Sequence, residues 1–177
     1  LAPRDIAPDD WAETQSFLGA ALRMLGELED RTIRLQEAVA LYRTSAEVQT
    51  RERDPIQWAA TQNAIGDALR LIGERESGTA ALAEAVTAHR NALEAYSRAG
   101  QSTTLTLREL GYALNALARR ERELGQGENM TTSLKGAVEV YRALLAGTDR
   151  ARAPGDWADA QDNLGPVSYT HLTLPTK

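Results

Sequence analysis

Side-chain amides and arginines recur at matching places along this chain, within segments where helix propensity alone would not select an amide. An amide offers both a donor and an acceptor, so a row of amides can hold the backbone of a bound peptide whatever its sequence. Arginines at equivalent places could add a contact to an acidic partner. The alternative is that these side chains only join neighbouring helices through buried hydrogen bonds. The candidate partner-binding residues are Gln15, Arg23, Gln62, Asn63, Arg70, Asn115, Gln161 and Asn163.

The chain contains few residues that could catalyse a reaction or bind a metal ion. The chain contains no cysteine, and its two histidines are His89 and His171. His89 takes the place that tyrosine takes in other segments, which favours a packed core ring. The carboxylates lie beside arginines at helical spacing, which is typical of solvated ion pairs. We therefore predict that this chain is not an enzyme and that it holds no metal or cofactor.

The charge and hydropathy of the chain narrow the class of partner. The formal net charge of −5 at pH 7 and the lack of a basic stripe argue against nucleic acid as a ligand. No apolar run approaches the roughly 18 residues that a membrane-spanning helix needs. We therefore expect a protein or peptide partner, no membrane insertion and a cytoplasmic location.

A stretch that opens with tryptophan occurs three times, at Trp11, Trp58 and Trp157, and each tryptophan follows a proline by three residues. Such repetition indicates a tandem array in which each repeat must stack on the next to bury its apolar face. The tryptophans are expected to pack between repeats and not to form an aromatic cage. The predicted repeats are residues 8–54, 55–100, 101–153 and a partial repeat at 154–165.

Each repeat is predicted to form two helices. The first carries a glycine, Gly19 or Gly66, within an apolar stripe of 3.6-residue period, and a glycine there indicates close approach of a neighbouring helix. Gly26 and Gly73 are expected to end the first helix as C-caps. The second helix pairs an alanine with a ring four residues later: Ala38 with Tyr42, Ala85 with His89, and Ala137 with Tyr141.

The third repeat departs from this pattern. Gly111 matches Gly66, but seven more residues separate Gly111 from Gly125 than separate Gly66 from Gly73. Seven residues make about two helical turns, so the apolar stripe keeps its phase. We interpret residues 118–123 as a charged and solvated extension of the first helix.

The Leu-Gly or Ile-Gly pair of the first helix, the alanine–ring pair of the second and the proline at the repeat boundary resemble the signature positions of tetratricopeptide repeats. The repeats are longer than usual, and repeats of this length resemble kinesin light chain repeats and certain bacterial arrays. The resemblance implies an all-α fold, a right-handed α-solenoid of about three and a half stacked helical hairpins. It also implies a concave groove, lined by the first helices, that binds a peptide or a partner domain without catalysis.

Two other functions stay open. The array could be a regulatory or sensor arm of a larger signalling or peptidase protein whose catalytic domain is absent. It could also be a self-assembling module, since repeat ends that expose apolar faces favour homo-oligomers.

The last stretch, residues 166–177, breaks the repeat pattern. Written in codons, it resembles a sequencing-library adapter translated in frame, so we expect a non-native tail. Residues 1–8 resemble the end of a preceding repeat. Both observations predict a fragment of a longer protein of bacterial, metagenomic origin.

Overall fold

A computed structural model describes the backbone of residues 4–151 and 153–172, and within these ranges it contains helices and no strand. The prediction of an all-α fold is therefore confirmed. None of the described helices combines the length and apolarity needed to cross a bilayer. The helices are α1 (Pro8–Leu28), α2 (Thr32–Ala46), α3 (Pro55–Arg75), α4 (Ala80–Arg98), α5 (Thr104–Glu123), α6 (Gly127–Gly147) and α7 (Pro154–Leu172).

The helices belong to two compact units. In the N-terminal unit (Leu1–Ser102), each helix from α1 to α4 packs against the next, and α1 also touches α3. In the C-terminal unit (Thr103–Lys177), α6 packs against both α5 and α7. Three helix pairs form hairpins: α1/α2, α3/α4 and α5/α6. The first hairpin packs on the second through contacts between α2 and α3.

Proline sets the start of three first helices. Pro8, Pro55 and Pro154 are the first residues of α1, α3 and α7, where a missing backbone N–H has no helical partner to lose. Asp54 caps α3, because its Oδ1 accepts a hydrogen bond from the Gln57 N–H at 3.0 Å. Such a cap contributes about 1 kcal/mol. These starts agree with the local sequence signals.

The prediction that Gly26 and Gly73 end their helices is wrong. Both lie inside α1 and α3, where an added Cβ would come within 3.0 Å of Leu35 Cγ and 2.5 Å of Leu82 Cγ. The turn after α1 instead places Asp30 in the left-handed region, at a φ of 53°. These two glycines are therefore close-approach positions between the helices of one hairpin.

The extra length of the third hairpin is shared by both of its helices. α5 runs further past Gly111 than α3 runs past Gly66, and α6 starts further ahead of Tyr141 than α4 starts ahead of His89. Gly125 lies in the turn, at a φ of 71° with no neighbour near its missing Cβ. The third hairpin is therefore longer at its closed end, and Gly125 is not equivalent to Gly73.

The prediction that residues 118–123 form a solvated extension is wrong in part. Ala118 and Glu121 are buried, while Arg119, Arg122 and Glu123 are exposed. One side of this last stretch of α5 therefore belongs to the core of the hairpin.

The predicted start of the non-native tail falls within α7, which runs without interruption to Leu172. Residues 173–177 of that tail lie outside the described part of the chain.

Candidate functional site

In each hairpin the second helix places one ring beneath the glycine of the first helix. A Cβ added to Gly19 would lie 2.8 Å from the Tyr42 ring, and one added to Gly111 would lie 2.7 Å from the Tyr141 ring. All of these rings are buried, including His89 beneath Gly66. The expected close approach at Gly19 and Gly66 is confirmed, and so is the packed imidazole.

Three candidate binding residues lie four positions after these glycines, and each meets the ring below. Burial raises the pKa of the Tyr42 phenol, and Arg23 lies close enough for its guanidinium to offset part of that rise. Asn115 Nδ2 donates to the Tyr141 hydroxyl at 3.0 Å. Arg70 lies close enough to His89 for its positive charge to act on the ring. The buried rings of the second helices thus contact polar side chains of the first helices and restrict their positions.

The second hairpin brings together four polar residues that we call the His89 cluster: Asn63, Asp67, Arg70 and His89. His89 Nδ1 lies 3.2 Å from Asn63 Oδ1, and Nε2 lies 3.7 Å from Asp67 Oδ1. Burial, with a further contribution from Arg70, lowers the pKa of His89 to about 4. The ring is therefore neutral at pH 7, and its contact with Asp67 is not an ion pair.

The two candidate arginines keep fixed positions on their own helices. Arg23 Nη1 lies 3.4 Å from Glu27 Oε2, and Arg70 Nη1 lies 2.9 Å from Glu74 Oε1. Both pairs have the i,i+4 spacing that orders a helix surface. Each arginine is partly exposed, so its guanidinium can still reach a ligand.

The remaining candidates lie elsewhere. Gln62 accepts a 3.5 Å hydrogen bond from Asn91 and lines a separate cavity of about 190 Å³ between α2 and α4. Gln15 is half-buried on α1, and Gln161 is exposed on α7. Asn163 donates to the Asp159 carbonyl of its own helix at 2.7 Å. The structure therefore does not place all eight residues in one row.

An arginine seven residues before each tryptophan escaped the sequence reasoning. The guanidinium carbon lies 5.0 Å from the ring centre of Trp11 for Arg4, and 5.4 Å from that of Trp58 for Arg51. Arg150 stacks on Trp157 in the same way, at 4.5 Å. Such cation–π contacts contribute about 0.5–1 kcal/mol at exposed sites. The constant spacing of seven is the signal that would have revealed them.

The described packing of Trp58 differs from the expected contact between repeats. Trp58 and Tyr96 both pack against a buried cluster that consists of Ala59 of α3 and Ala92 and Ala95 of α4. Trp58 therefore stabilises its own hairpin, and Arg51 stacks on its ring.

A different residue, Arg75, joins the first two hairpins. Its Nη1 donates to the Gly26 carbonyl at 3.0 Å, and its Nε lies 2.8 Å from Asp30 Oδ1. Arg75 thus adds a second hydrogen bond to a carbonyl in the last turn of α1 that already accepts the Arg31 N–H, at a helix end that attracts cations. No sequence signal distinguished this arginine from its neighbours.

Acidification is expected to destabilise the N-terminal unit through His89. Its folded-state pKa of about 4 lies below the ordinary value of 6.5, so the unfolded chain takes up a proton first as the pH falls. The stability that this group contributes is complete above pH 6.5 and is lost as the pH falls towards 4. Between pH 7 and pH 5 we expect a loss of about 2 kcal/mol, measured by urea unfolding.

The control for this measurement is His89→Tyr, which introduces the ring that the other hairpins carry. The variant should lack this part of the pH dependence and keep the rest. The same pH dependence in both proteins would contradict a buried neutral imidazole.

Comparison with protein-family models, with curated proteins and with solved structures gives no match for this chain.

Proposed function

We propose that this chain is a protein-interaction scaffold, a right-handed solenoid of tetratricopeptide-like hairpins that binds a peptide or partner domain along its first helices. The proposal rests on one observation: polar side chains of α1 and α3 are held in place by buried rings of α2 and α4. Asn63 Oδ1 lies 3.2 Å from His89 Nδ1, and Arg23 lies beside the buried Tyr42.

Anchoring matters because binding costs conformational entropy. A long side chain that is immobilised only on binding loses about 0.5–1.5 kcal/mol, and one that is already fixed loses less. The i,i+4 pairs of Arg23 and Arg70 add to this preorganisation. The face they form offers guanidinium donors and an amide, together with the carboxylate of Asp67. An extended peptide with exposed carbonyls and at least one charged side chain suits this set.

Selection of peptides from a random display library tests this function. The full chain is immobilised, enriched peptides are synthesised with a fluorescent label, and their affinities are measured by anisotropy. We expect Arg70→Ala and Asn63→Ala each to weaken the selected peptides by about tenfold, as hot-spot residues do.

The matched control is Arg98→Ala, which removes an exposed arginine of α4 that pairs with Glu94 and lies outside the His89 cluster. Its affinity for the same peptides should stay unchanged. Failure to enrich any peptide, or equal binding by all three variants, would reject the scaffold function on this face.

A further inference from the structure

A groove runs between the second helices of the first two hairpins. α2 and α4 form its walls, and α3, on which both helices pack, forms its floor. The groove contains two neighbouring cavities, of about 300 Å³ and about 190 Å³. Arg43 of α2 and Glu84 of α4 form an ion pair, and both residues line both cavities. We call this feature the α2/α4 groove.

The width of the groove decides what kind of ligand fits. A single ion pair, between Arg43 and Glu84, reaches from one wall to the other. A helix with its side chains is about 10–12 Å across, so a further helix does not fit between these walls. An extended chain needs only about 5 Å in the plane of its hydrogen bonds. The ligand that fits is therefore an extended segment, and a helix of another repeat of this chain is not the occupant.

The larger cavity suits an aliphatic side chain. Val39 of α2 and Leu69 and Ile72 of α3 line it, and each of the three is at most 5% exposed. Ala80 and Ala81 of α4 complete the apolar lining and, because they are small, leave the space open. A leucine or valine side chain that enters this cavity loses its contact with water, which favours binding.

A carboxylate at the rim of this cavity sets the charge of the groove. Glu76 lines the larger cavity, is exposed, and forms no ion pair within the described part of the chain. Arg43 and Glu84 neutralise each other, so Glu76 leaves the groove with a net negative charge. A lysine or arginine of the ligand complements this charge.

The smaller cavity offers hydrogen bonds to a peptide backbone. Asn91 Nδ2 donates to Gln62 Oε1 at 3.5 Å, which is the outer limit for a hydrogen bond. Gln62 Nε2 and Asn91 Oδ1 form no other hydrogen bond within the described residues. A donor and an acceptor therefore remain, which is the pair that a peptide unit requires. Gln62, a candidate that lies outside the His89 cluster, thus belongs to a second site.

The length of the groove gives the length of the segment. Along the α4 wall, the residues that line the two cavities extend from Ala80 to Asn91. At 1.5 Å per helical residue, this distance is about 16 Å. An extended chain advances about 3.3 Å per residue, so about five residues fill the groove.

We propose that the α2/α4 groove binds an extended segment of about five residues from a partner protein, with an aliphatic side chain in the larger cavity and a neighbouring lysine or arginine beside Glu76. Adjacent residues of an extended segment point to opposite sides, so the aliphatic residue faces the floor while the basic one stays at the exposed rim. The amides of Gln62 and Asn91 hold the backbone at the other end of the groove. This site is separate from the face that carries Arg23 and the His89 cluster, so either proposal can fail while the other holds.

Two peptides, Lys-Leu-Ser-Ser-Ser and Ser-Ser-Ser-Leu-Lys, serve as probes for the two possible chain directions. Both ends of each peptide are capped, so that lysine is the only charge. Each peptide is titrated into the full chain labelled with ¹⁵N and followed by NMR. We expect at least one of them to shift the side-chain amide signals of Gln62 and Asn91 and the backbone amide signal of Ala81, up to saturation.

Filling the larger cavity should prevent this binding. Ala81→Phe places a ring in the cavity and should weaken the peptide by at least about tenfold. The matched control is Ala83→Phe, the same change at an exposed alanine of α4 outside the groove, which should bind like the unchanged chain. A peptide with serine in place of leucine should lose at least about tenfold as well, and this comparison needs no change in the protein.

A second pair of measurements tests the charge. Glu76→Gln should weaken the lysine peptide by about two- to fivefold, as expected for an exposed ion pair. The same variant should bind a peptide with glutamine in place of lysine as well as the unchanged chain does. Arg70→Ala should leave both affinities unchanged, because Arg70 belongs to the other face. Circular dichroism establishes that each variant stays helical.

Several results would overturn the proposal. One is that neither peptide shifts the Gln62 and Asn91 signals, and another is that Ala81→Phe or the serine peptide binds equally well. If Arg70→Ala weakens binding as much as Ala81→Phe does, the peptide binds to the face of the first helices instead. If free leucine shifts these signals and the capped peptides do not, the groove takes a small zwitterion and not a protein segment.

Discussion

Replacing Tyr141 with alanine is expected to lower the free energy of unfolding of the C-terminal unit by about 4 kcal/mol. The ring is fully buried and fills the space beneath Gly111, so its removal leaves a cavity between α5 and α6. The hydroxyl also accepts a hydrogen bond from Asn115, which would lose its partner. Urea unfolding followed by circular dichroism, in a chain whose Trp11 and Trp58 are replaced by phenylalanine so that Trp157 fluorescence is a second probe, measures the loss.

Tyr141→Phe is the matched comparison. It keeps the ring and removes only the hydroxyl, so the expected cost is about 1 kcal/mol. Equal costs for the alanine and phenylalanine variants would contradict the packing of the ring against Gly111.

The phenylalanine variant also isolates the contribution of the Tyr141 hydroxyl to the loss of stability at alkaline pH. Burial, with lesser contributions from Tyr112 and Glu109, raises the pKa of Tyr141 well above its ordinary value of 10.0. The unfolded chain therefore loses this proton first, and stability that is complete below pH 10 declines as the pH rises further. Tyr141→Phe should remove that share of the decline, so the stability difference between the two proteins narrows at high pH.

Gly66→Val is expected to destabilise the N-terminal unit by about 3 kcal/mol, the upper part of the usual range for overpacking. A Cβ at this position would lie 2.6 Å from the His89 ring, and a branched side chain adds two more methyl groups. The gain in helix propensity over glycine is a few tenths of a kcal/mol and does not offset the clash. The free energy of unfolding in urea is again the measurement.

Two further variants give this prediction its controls. Gly147→Val makes the same change at the end of α6, where nothing lies within 4 Å of the missing Cβ, and should alter stability by no more than about 0.5 kcal/mol. In a His89→Ala background the ring is absent, so Gly66→Val should cost at least about 1 kcal/mol less than in the original chain. Additive effects of the two substitutions would mean that glycine and ring are not in contact.

The features that the sequence predicted correctly depend on local rules. Pro55 and Asp54 indicate the start of a helix, because proline at the first position and an aspartate cap act within one turn. Gly66 within an apolar stripe indicated a close neighbour, because a helix tolerates the cost of glycine only where packing requires it. His89 was assigned to the core because the other hairpins carry a tyrosine at that place.

The features that it did not predict depend on partners far along the chain. Gly73 looks like a helix end in sequence, and only the position of Leu82 shows that the glycine instead allows α4 to approach closely. Asn63 and Gln62 are adjacent amides, yet one contacts His89 and the other contacts Asn91. A difference of one residue rotates a side chain by about 100° around the helix, so periodicity alone assigns both to one face too easily. Periodicity also gave no sign that Asp67 lies beside His89.

The third hairpin grows at its closed end while Tyr141 stays beneath Gly111. Hairpin length and hairpin register are therefore independent variables in this architecture. Insertions of whole turns at the closed end do not move the ring contact along the hairpin. They also do not move the polar residues that are aligned with it. Equivalent positions in such an array are found by counting outwards from the glycine–ring pair, and the number of residues between successive tryptophans is free to drift.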